Sequence, residues 1–171
     1  MLGHPGGDEH SRNLIALADL EAGSKWLDMG AGDGATVRLL KSMRYDAQGI
    51  DLIPRGPDVI AGDYLHTAFE DCLFDGIISQ CSFYVSGDVE GACKEASRIL
   101  RNGGKLVFSD VTECADVLID QCHSAGFRIS YIEDLTHIWR EYYLEALWTQ
   151  EIVCLPVGKK FRYIMAVCEK E

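Results

Sequence analysis

The chain has 171 residues, of which 47% are hydrophobic and 25% charged, with a formal net charge of -11. This composition is ordinary for one globular domain with its own core, and the scattered basic residues, with one small cluster at residues 159–162, disfavour a nucleic-acid partner. Since there is no apolar run near the roughly 20 residues that span a bilayer and no leader pattern at residues 1–7, we expect a cytoplasmic protein without a membrane partner.

The first predicted elements are a helix at residues 14–20, a buried strand at 25–29 and a helix at 34–43. A glycine-rich turn joins the strand to the second helix, with glycines at positions 30, 32 and 34. Glycine tolerates positive φ and lets a ligand lie against the backbone, and the helix directs its positive N-terminus at that ligand. This layout predicts a nucleotide-cofactor site.

Two carboxylates distinguish between the cofactors that this turn could hold. The spacing Gly30-x-Gly32-x-x-Ala35 also fits the dinucleotide fingerprint, which is a short and weakly specific pattern. A pyrophosphate would lie close to Asp28 and Asp33, which are anions at neutral pH. The same acids suit a ligand that carries an ammonium and a sulfonium. We therefore favour S-adenosylmethionine (SAM), with an NAD-binding oxidoreductase as the alternative.

The rest of the chain alternates between strand and helix signals. Further strands are predicted at residues 47–51, 59–61, 74–79, 105–111, 127–133 and 161–169. Further helices are predicted at 88–100, 113–125 and 136–150, while the prolines at 54 and 57 shorten or remove a helix between the second and third strands. This alternation predicts an α/β fold with a mostly parallel sheet that is covered by helices on both faces.

Polar residues follow the carboxyl ends of the predicted strands, where open α/β sheets bind their ligands. They are Asp28 to Gly32, Asp51, Asp63, Ser79 to Cys81 and Asp110. We expect them to share one rim of the sheet, within reach of a bound nucleoside.

With these residues in place, the chain resembles the class I, Rossmann-like SAM-dependent methyltransferases, and within them the small type-11 group related to quinone-biosynthesis enzymes. The resemblance covers residues 25–111 and rests on five landmarks in order: 27–34, 49–51, 61–64, 74–79 and 95–106. It implies a doubly wound sheet of seven strands with the last strand antiparallel, and a single domain over 1–171. Within that domain, 1–23 is an N-terminal loop and helix, 24–111 the cofactor core and 112–171 the C-terminal part.

The resemblance also implies roles for individual residues. Gly30, Ala31 and Gly32 would lie against the methionine part of the cofactor, Asp28 would support the loop or the amino group, and Ser79 and Gln80 would line the methionine end. Asp51 would accept hydrogen bonds from both ribose hydroxyls. Leu52 would cover the adenine, with Asp63 accepting from its amine and Tyr64 adjacent. Turn-stabilising roles remain open for Asp28 and Asp63.

The seven cysteines include no CxxC pair, so they predict neither a disulfide framework nor a metal site. The stretch from Ser79 to Tyr84 is also similar to arsenite methyltransferases, which place a cysteine after the fourth strand. Arsenical binding needs several converging thiolates. We therefore interpret Cys81 as a small, half-buried residue at a strand end.

The methyl acceptor is not encoded as clearly as the cofactor. Methyl transfer is an in-line displacement that depends mainly on alignment of two bound reactants, so no catalytic residue is assigned. Aromatic residues at 83, 84, 139, 142 and 143 either pack on the sheet or cover a small planar acceptor. His66 and His137 are candidate bases. Because the N-terminal segment is short, three ways of closing the cofactor cleft stay open: within one chain, through a homodimer, or against a protein substrate. A SAM-binding partner subunit without activity is a further alternative.

Overall fold

Apolar strands and amphipathic helices assemble into one sheet with helices on both sides in the computed structural model, which describes residues 4–149 and 160–171. The strands are β1 (Lys25–Met29), β2 (Asp46–Asp51), β3 (Val59–Ala61), β4 (Phe74–Gln80), β5 (Leu100–Thr112), β6 (Phe127–Asp134) and β7 (Arg162–Lys170). The helices are α1 (Gly7–Leu17), α2 (Ala35–Ser42), α3 (Phe83–Ser86), α4 (Val89–Ile99), α5 (Ala115–Ser124) and α6 (Thr136–Trp148).

The seven strands are ordered β3-β2-β1-β4-β5-β7-β6. The first five pair in parallel, whereas β7 inserts between β5 and β6 and is antiparallel to both, with a register irregularity between Ile129 and Tyr131. The expected mostly parallel sheet with an antiparallel last strand is confirmed. Strand order reverses between β1 and β4, so a ligand crevice is expected outside the carboxyl ends of these two strands.

Consecutive residues of the central strands point to opposite faces of the sheet, and each face is covered. Leu27, Ile77 and Leu106 pack with buried residues of α4 and α5 on one face. Trp26, Ile78 and Val107 pack with buried residues of α1 and α2 on the other. The predicted apolar face of the helix after Asp88 is buried, and the Asp88 carboxylate caps that helix by accepting from the Gly91 N–H at 2.8 Å.

Several element bounds differ from those predicted. Helix α1 begins at Gly7 instead of residue 14, because Gly6 adopts a left-handed φ of 80° and the acids of the first turn favour a helix start there. Strand β5 begins at Leu100, which pairs with Phe74, so the chain continues as strand through the glycines at 103 and 104. The four-residue helix α3 was not predicted. The predicted end of the last helix at residue 150 lies outside the described residues, as do Cys154 and Lys159.

The connection between β2 and β3 contains no helix, as the two prolines predict, and it folds back against the glycine-rich turn. No described helix is both long enough and apolar enough to cross a bilayer.

Gly49 lets β2 pass directly beneath this turn. A β-carbon on Gly49 would lie 2.4 Å from the Ala31 side chain and 3.0 Å from that of Val37. Only glycine, whose side chain is a hydrogen atom, therefore fits at position 49 and allows close contact between β2 and the turn.

We expect Gly49→Ala to lower the free energy of unfolding by about 1–3 kcal/mol, because the added methyl group overpacks the contact with Ala31. Urea denaturation measures the change. Gln48→Ala, on the same strand, adds no volume and is the control. A Gly49→Ala protein within about 0.5 kcal/mol of wild type would contradict this packing requirement.

Candidate functional site

The glycine-rich turn crosses the carboxyl end of β2 through backbone hydrogen bonds. The N–H groups of Gly30 and Ala31 both donate to the Ile50 carbonyl, at 2.9 and 3.1 Å. Gly30 has a φ of 87° and Gly32 of 52°, which are left-handed conformations that glycine adopts without steric cost. At these two positions the turn has no β-carbon, and other side chains come close to its backbone, Ser82 at Gly30 and Arg55 at Gly32.

Two cavities lie on either side of this turn and share Gly30. The first, here called the Asp28 cavity, has a volume of about 320 Å³. The second, here called the Asp51 cavity, has a volume of about 330 Å³. The first is lined by His4, Gly7, Asp8, Asp28, Gly30, Ala31, Gly32, Asp33, Ala35, Thr36, Arg55, Gln80 and Cys81. The second is lined by Gly30, Asp51, Leu52, Asp63, Tyr64, Leu65, Ser82, Val85 and Ser86.

Asp28 is the most perturbed acid of the site. Its side chain is buried, and burial together with the nearby charges of Asp51 and Asp33 raises its pKa to about 7. The described residues provide no hydrogen-bond donor to its carboxylate, which lines the Asp28 cavity. A cationic donor in that cavity would favour the ionised form of the acid.

Asp51, the last residue of β2, lies in a different environment. One carboxylate oxygen accepts from the Gly32 N–H at 2.8 Å, and the other accepts from the Ile53 N–H at 2.9 Å. These bonds fix the carboxylate at the wall of the Asp51 cavity. Each oxygen keeps a lone pair for a further donor.

The remaining predicted residues of the second cavity form its outer wall. Asp63 is exposed and accepts from the Leu65 N–H at 2.9 Å, which is a turn-stabilising role. Tyr64 is buried, and its hydroxyl donates to the Ser82 carbonyl at 2.7 Å. Leu52 is 69% exposed and offers an apolar surface at the edge of the cavity.

The structure separates the two predicted residues at the end of β4. Ser79 is buried behind the turn, where its hydroxyl donates to the Met29 carbonyl at 3.0 Å, and it is not among the described lining residues of either cavity. Gln80 lines the Asp28 cavity and accepts from the hydroxyls of Ser11 and Thr36 at 3.1 and 3.3 Å. The two cavities thus contain nine of the ten predicted cofactor residues, whose roles stay predictions.

His4, Asp8 and Arg55 are the charged or titratable cavity residues that sequence analysis missed. His4 and Asp8 belong to the N-terminal segment, where the sequence predicts a loop before a helix that starts at residue 14. The His4 imidazole contacts Ser11 at 3.1 Å and Gln80 at 3.4 Å, and burial lowers its pKa, so it is neutral at pH 7. The two acids after Gly6 and Gly7 were the available sign of a helix start at this point.

Cys81 lines the Asp28 cavity at the end of β4 and has a left-handed φ of 55°. Burial raises the pKa of its thiol to about 12, so the sulfur is protonated at neutral pH. Among the described residues, no group of three or more histidine, cysteine or acidic side chains is arranged to hold a metal ion. These observations favour the interpretation of Cys81 as a small residue at a strand end.

A cluster of four aromatic rings is formed by Tyr84, Trp139, Tyr143 and Phe161. The Tyr84 and Phe161 rings meet edge to face at 5.5 Å, and the Trp139 and Tyr143 rings are 4.6 Å apart. The Tyr84 N–H donates at 3.1 Å to Asp110, a buried acid at the rim whose pKa is raised by burial to about 6. Both candidate bases, His66 and His137, are exposed and absent from the described cavity walls.

The middle of the chain is similar to a family of known proteins. Residues 27–108 match the type-11 family described as "Methyltransferase domain". The chain is 32% identical over 111 residues to a sarcosine/dimethylglycine N-methyltransferase of Halorhodospira halochloris, covering 53% of this chain and 38% of that protein. It is 25% identical over 135 residues to a demethylmenaquinone methyltransferase of Thermobifida fusca, covering 67% and 55%.

The fold is shared with solved structures of low sequence identity. Haemonchus contortus phosphoethanolamine N-methyltransferase 2, solved in complex with SAM, superposes with a TM-score of 0.81 and 16% identity, covering 98% of this chain and 53% of that one. At this identity the likeness shows the fold alone. The chain spans about two fifths to three fifths of the length of the first curated relatives that it matches.

We expect Asp28→Asn to stabilise the ligand-free protein more at pH 8 than at pH 5. Because the folded-state pKa of Asp28 is raised from 3.8 to about 7, the folded state holds this proton more tightly, and stability falls as pH rises from about 4 to about 7. The asparagine variant lacks this loss, so its advantage should grow by about 2–4 kcal/mol.

Urea denaturation at the two pH values measures this difference, and Asp63→Asn, at an exposed acid of the same rim, is the control. An advantage of Asp28→Asn that is constant with pH would show that the Asp28 carboxylate is hydrated in the folded protein.

Proposed function

We propose that this chain, whose residues 27–108 form a Rossmann-like, type-11 methyltransferase domain, binds SAM and transfers its methyl group to a small-molecule acceptor. The observation that carries the proposal is the buried Asp28 carboxylate, which lacks a described donor in a cavity that also contains Asp8 and Asp33. An ammonium group would supply the missing donor and favour the ionised carboxylate.

The charges around the turn argue against the NAD-binding alternative. A pyrophosphate placed against Gly30 and Gly32 would lie in a cavity that contains the carboxylates of Asp8, Asp28 and Asp33. Placing these anions together is unfavourable, most of all in a partly buried site. A ligand that carries an ammonium and a sulfonium is attracted to these carboxylates.

The residues present fit each part of SAM. The methionine part would lie in the Asp28 cavity, against Gly30, Ala31 and Gly32, with Gln80 at its far end and Ser79 supporting the turn from behind. The two ribose hydroxyls would donate to Asp51, whose carboxylate is already held in place by Gly32 and Ile53. The adenine would rest on Leu52, between Asp63 and Tyr64 in the Asp51 cavity.

Bound SAM supplies an electrophilic methyl group on a sulfonium, so the protein has to align the acceptor and exclude water. Orientation of two bound reactants can lower the activation free energy by roughly 7–11 kcal/mol. Cys81 lines the Asp28 cavity, and burial together with the nearby Cys81 and Asp110 raises the pKa of Tyr143 in the aromatic cluster, so we assign that cluster to the acceptor side. Aromatic walls suit a small planar or cationic acceptor.

We also propose a domain organisation and a cellular location for the chain. The whole of residues 1–171 acts as one domain, with the cofactor core at 24–111 and the acceptor side in 112–171. Its location is the cytoplasm, whose reducing conditions suit the free cysteines of the described residues.

Calorimetry with S-adenosylhomocysteine (SAH) and NAD tests the cofactor assignment. We expect SAH to bind and NAD not to bind. Asp51→Ala should lose most of the affinity for SAH, because two ribose hydroxyls lose their charged acceptor. Thermal denaturation checks that the variant is folded, and Asp46→Ala, at an exposed acid on the same strand, is the control. Binding of NAD alone, or unchanged SAH affinity in Asp51→Ala, would reject the assignment.

Turnover with labelled SAM tests the reaction and the acceptor side. We expect methyl transfer to at least one class among small amines, thiols, phenols and arsenite. Tyr143→Leu should raise the KM for that acceptor about tenfold with SAH affinity within about twofold, because an aromatic ring contributes around 1 kcal/mol or more to a planar or cationic ligand. Tyr131→Leu, at an exposed ring on β6, is the control. SAH binding without any transfer would favour a SAM-binding subunit without activity.

A further inference from the structure

The Asp28 cavity contains one positively charged side chain among several acids. Its described walls include the carboxylates of Asp8, Asp28 and Asp33, and the guanidinium of Arg55 is the one permanently charged cation among them. A cavity that received only a cationic group would have no use for this guanidinium, which would repel it. Charges of both signs fit a zwitterion, which carries an ammonium and a carboxylate.

Arg55 is held in place by the connection between β2 and β3. Its backbone N–H donates to the Gly32 carbonyl at 2.9 Å, and a β-carbon on the next residue, Gly56, would lie 2.2 Å from the Asp33 carbonyl oxygen. Farther along, the Lys41 ammonium pairs with Asp58 at 2.6 Å, and the Gly49 N–H donates to the Asp58 carbonyl at 2.9 Å. The connection is thus tied to the turn at Gly32, and to α2 and β2 through Asp58.

This placement leaves the guanidinium directly over the turn. One terminal nitrogen, Nη2, lies 2.7 Å from the point that a β-carbon on Gly32 would occupy. No carboxylate among the described residues pairs with it, since Asp33 faces Arg38 and Asp58 faces Lys41. Its N–H donors are available for a bidentate bond with a planar anion such as a carboxylate.

We propose that Arg55 binds the carboxylate of the methionine part of the cofactor, while Asp28 receives the ammonium on the same α-carbon. Arg55 is then the residue that makes the site select an amino-acid end over an uncharged or purely cationic one. This inference rests on the proposed function, because it assumes that SAM occupies the Asp28 cavity.

Three ligands that differ only at this end separate the inference from the proposed function. They are SAH, its decarboxylated analogue, which keeps the amine, and 5′-methylthioadenosine, which lacks the amino-acid end. For Arg55→Gln, we expect calorimetry to show at least a tenfold loss of affinity for SAH and a change within about twofold for the other two. Arg55→Lys keeps the charge without the bidentate geometry, so its loss for SAH should be smaller.

The control is Arg38→Gln, which removes the same charge near Asp33 from a side chain outside the described cavity wall. Thermal denaturation of each variant reports on folding. The inference is overturned if Arg55→Gln binds SAH as wild type does, or if all three ligands weaken equally, which would make Arg55 a support for the turn. Failure of the wild-type protein to bind SAH would instead reject the proposed function.

Discussion

The attachment of the glycine-rich turn to the end of β2 is the constraint on which the site depends. The Ile50 carbonyl accepts two N–H groups of the turn, and the Asp51 carboxylate accepts a third from Gly32. These bonds form only because Gly49 lets the strand approach the turn closely. The same attachment fixes the Asp51 carboxylate beside the turn, whose Gly30 lines both cavities.

Asp28 and Asp51 show how two identical side chains acquire different properties near the ends of two adjacent strands. Asp28 is buried without a described donor, so its proton is retained to a pH far above that of a free aspartate. Asp51 accepts two backbone N–H groups, which compensate its charge and orient it. The two cavities therefore differ in how they interact with a charged or neutral ligand group, although an aspartate lines each of them.

The features that sequence analysis predicted correctly depend on residues that are close together in the sequence. The strand, turn and helix around Gly30 follow from glycine spacing and apolar runs, and acids that follow parallel strands necessarily share a rim. His4, Asp8 and Arg55 could not be predicted as neighbours, because they come from separate segments and meet only through tertiary contacts of Gln80 and Gly32. Ser79 was misleading for a related reason, since a strand end does not reveal which way its hydroxyl bonds. The resemblance implied an antiparallel last strand, but its insertion between β5 and β6 was not predicted, since residue spacing does not specify it.

The two outer strands of the sheet differ in a way that matters for self-association. An outer strand exposes unpaired backbone groups that can template pairing with another molecule, and this is a common origin of aggregation. Strand β3 is three residues long and offers very few such groups, although Ile60 is 44% exposed. Strand β6 is eight residues long, but its irregularity near Ser130 and its charged side chains at Arg128 and Glu133 make a regular intermolecular ladder unfavourable. The shortness of β3 disfavours pairing with another copy of the protein at one edge of the sheet. The irregular register and the charges of β6 disfavour it at the other edge.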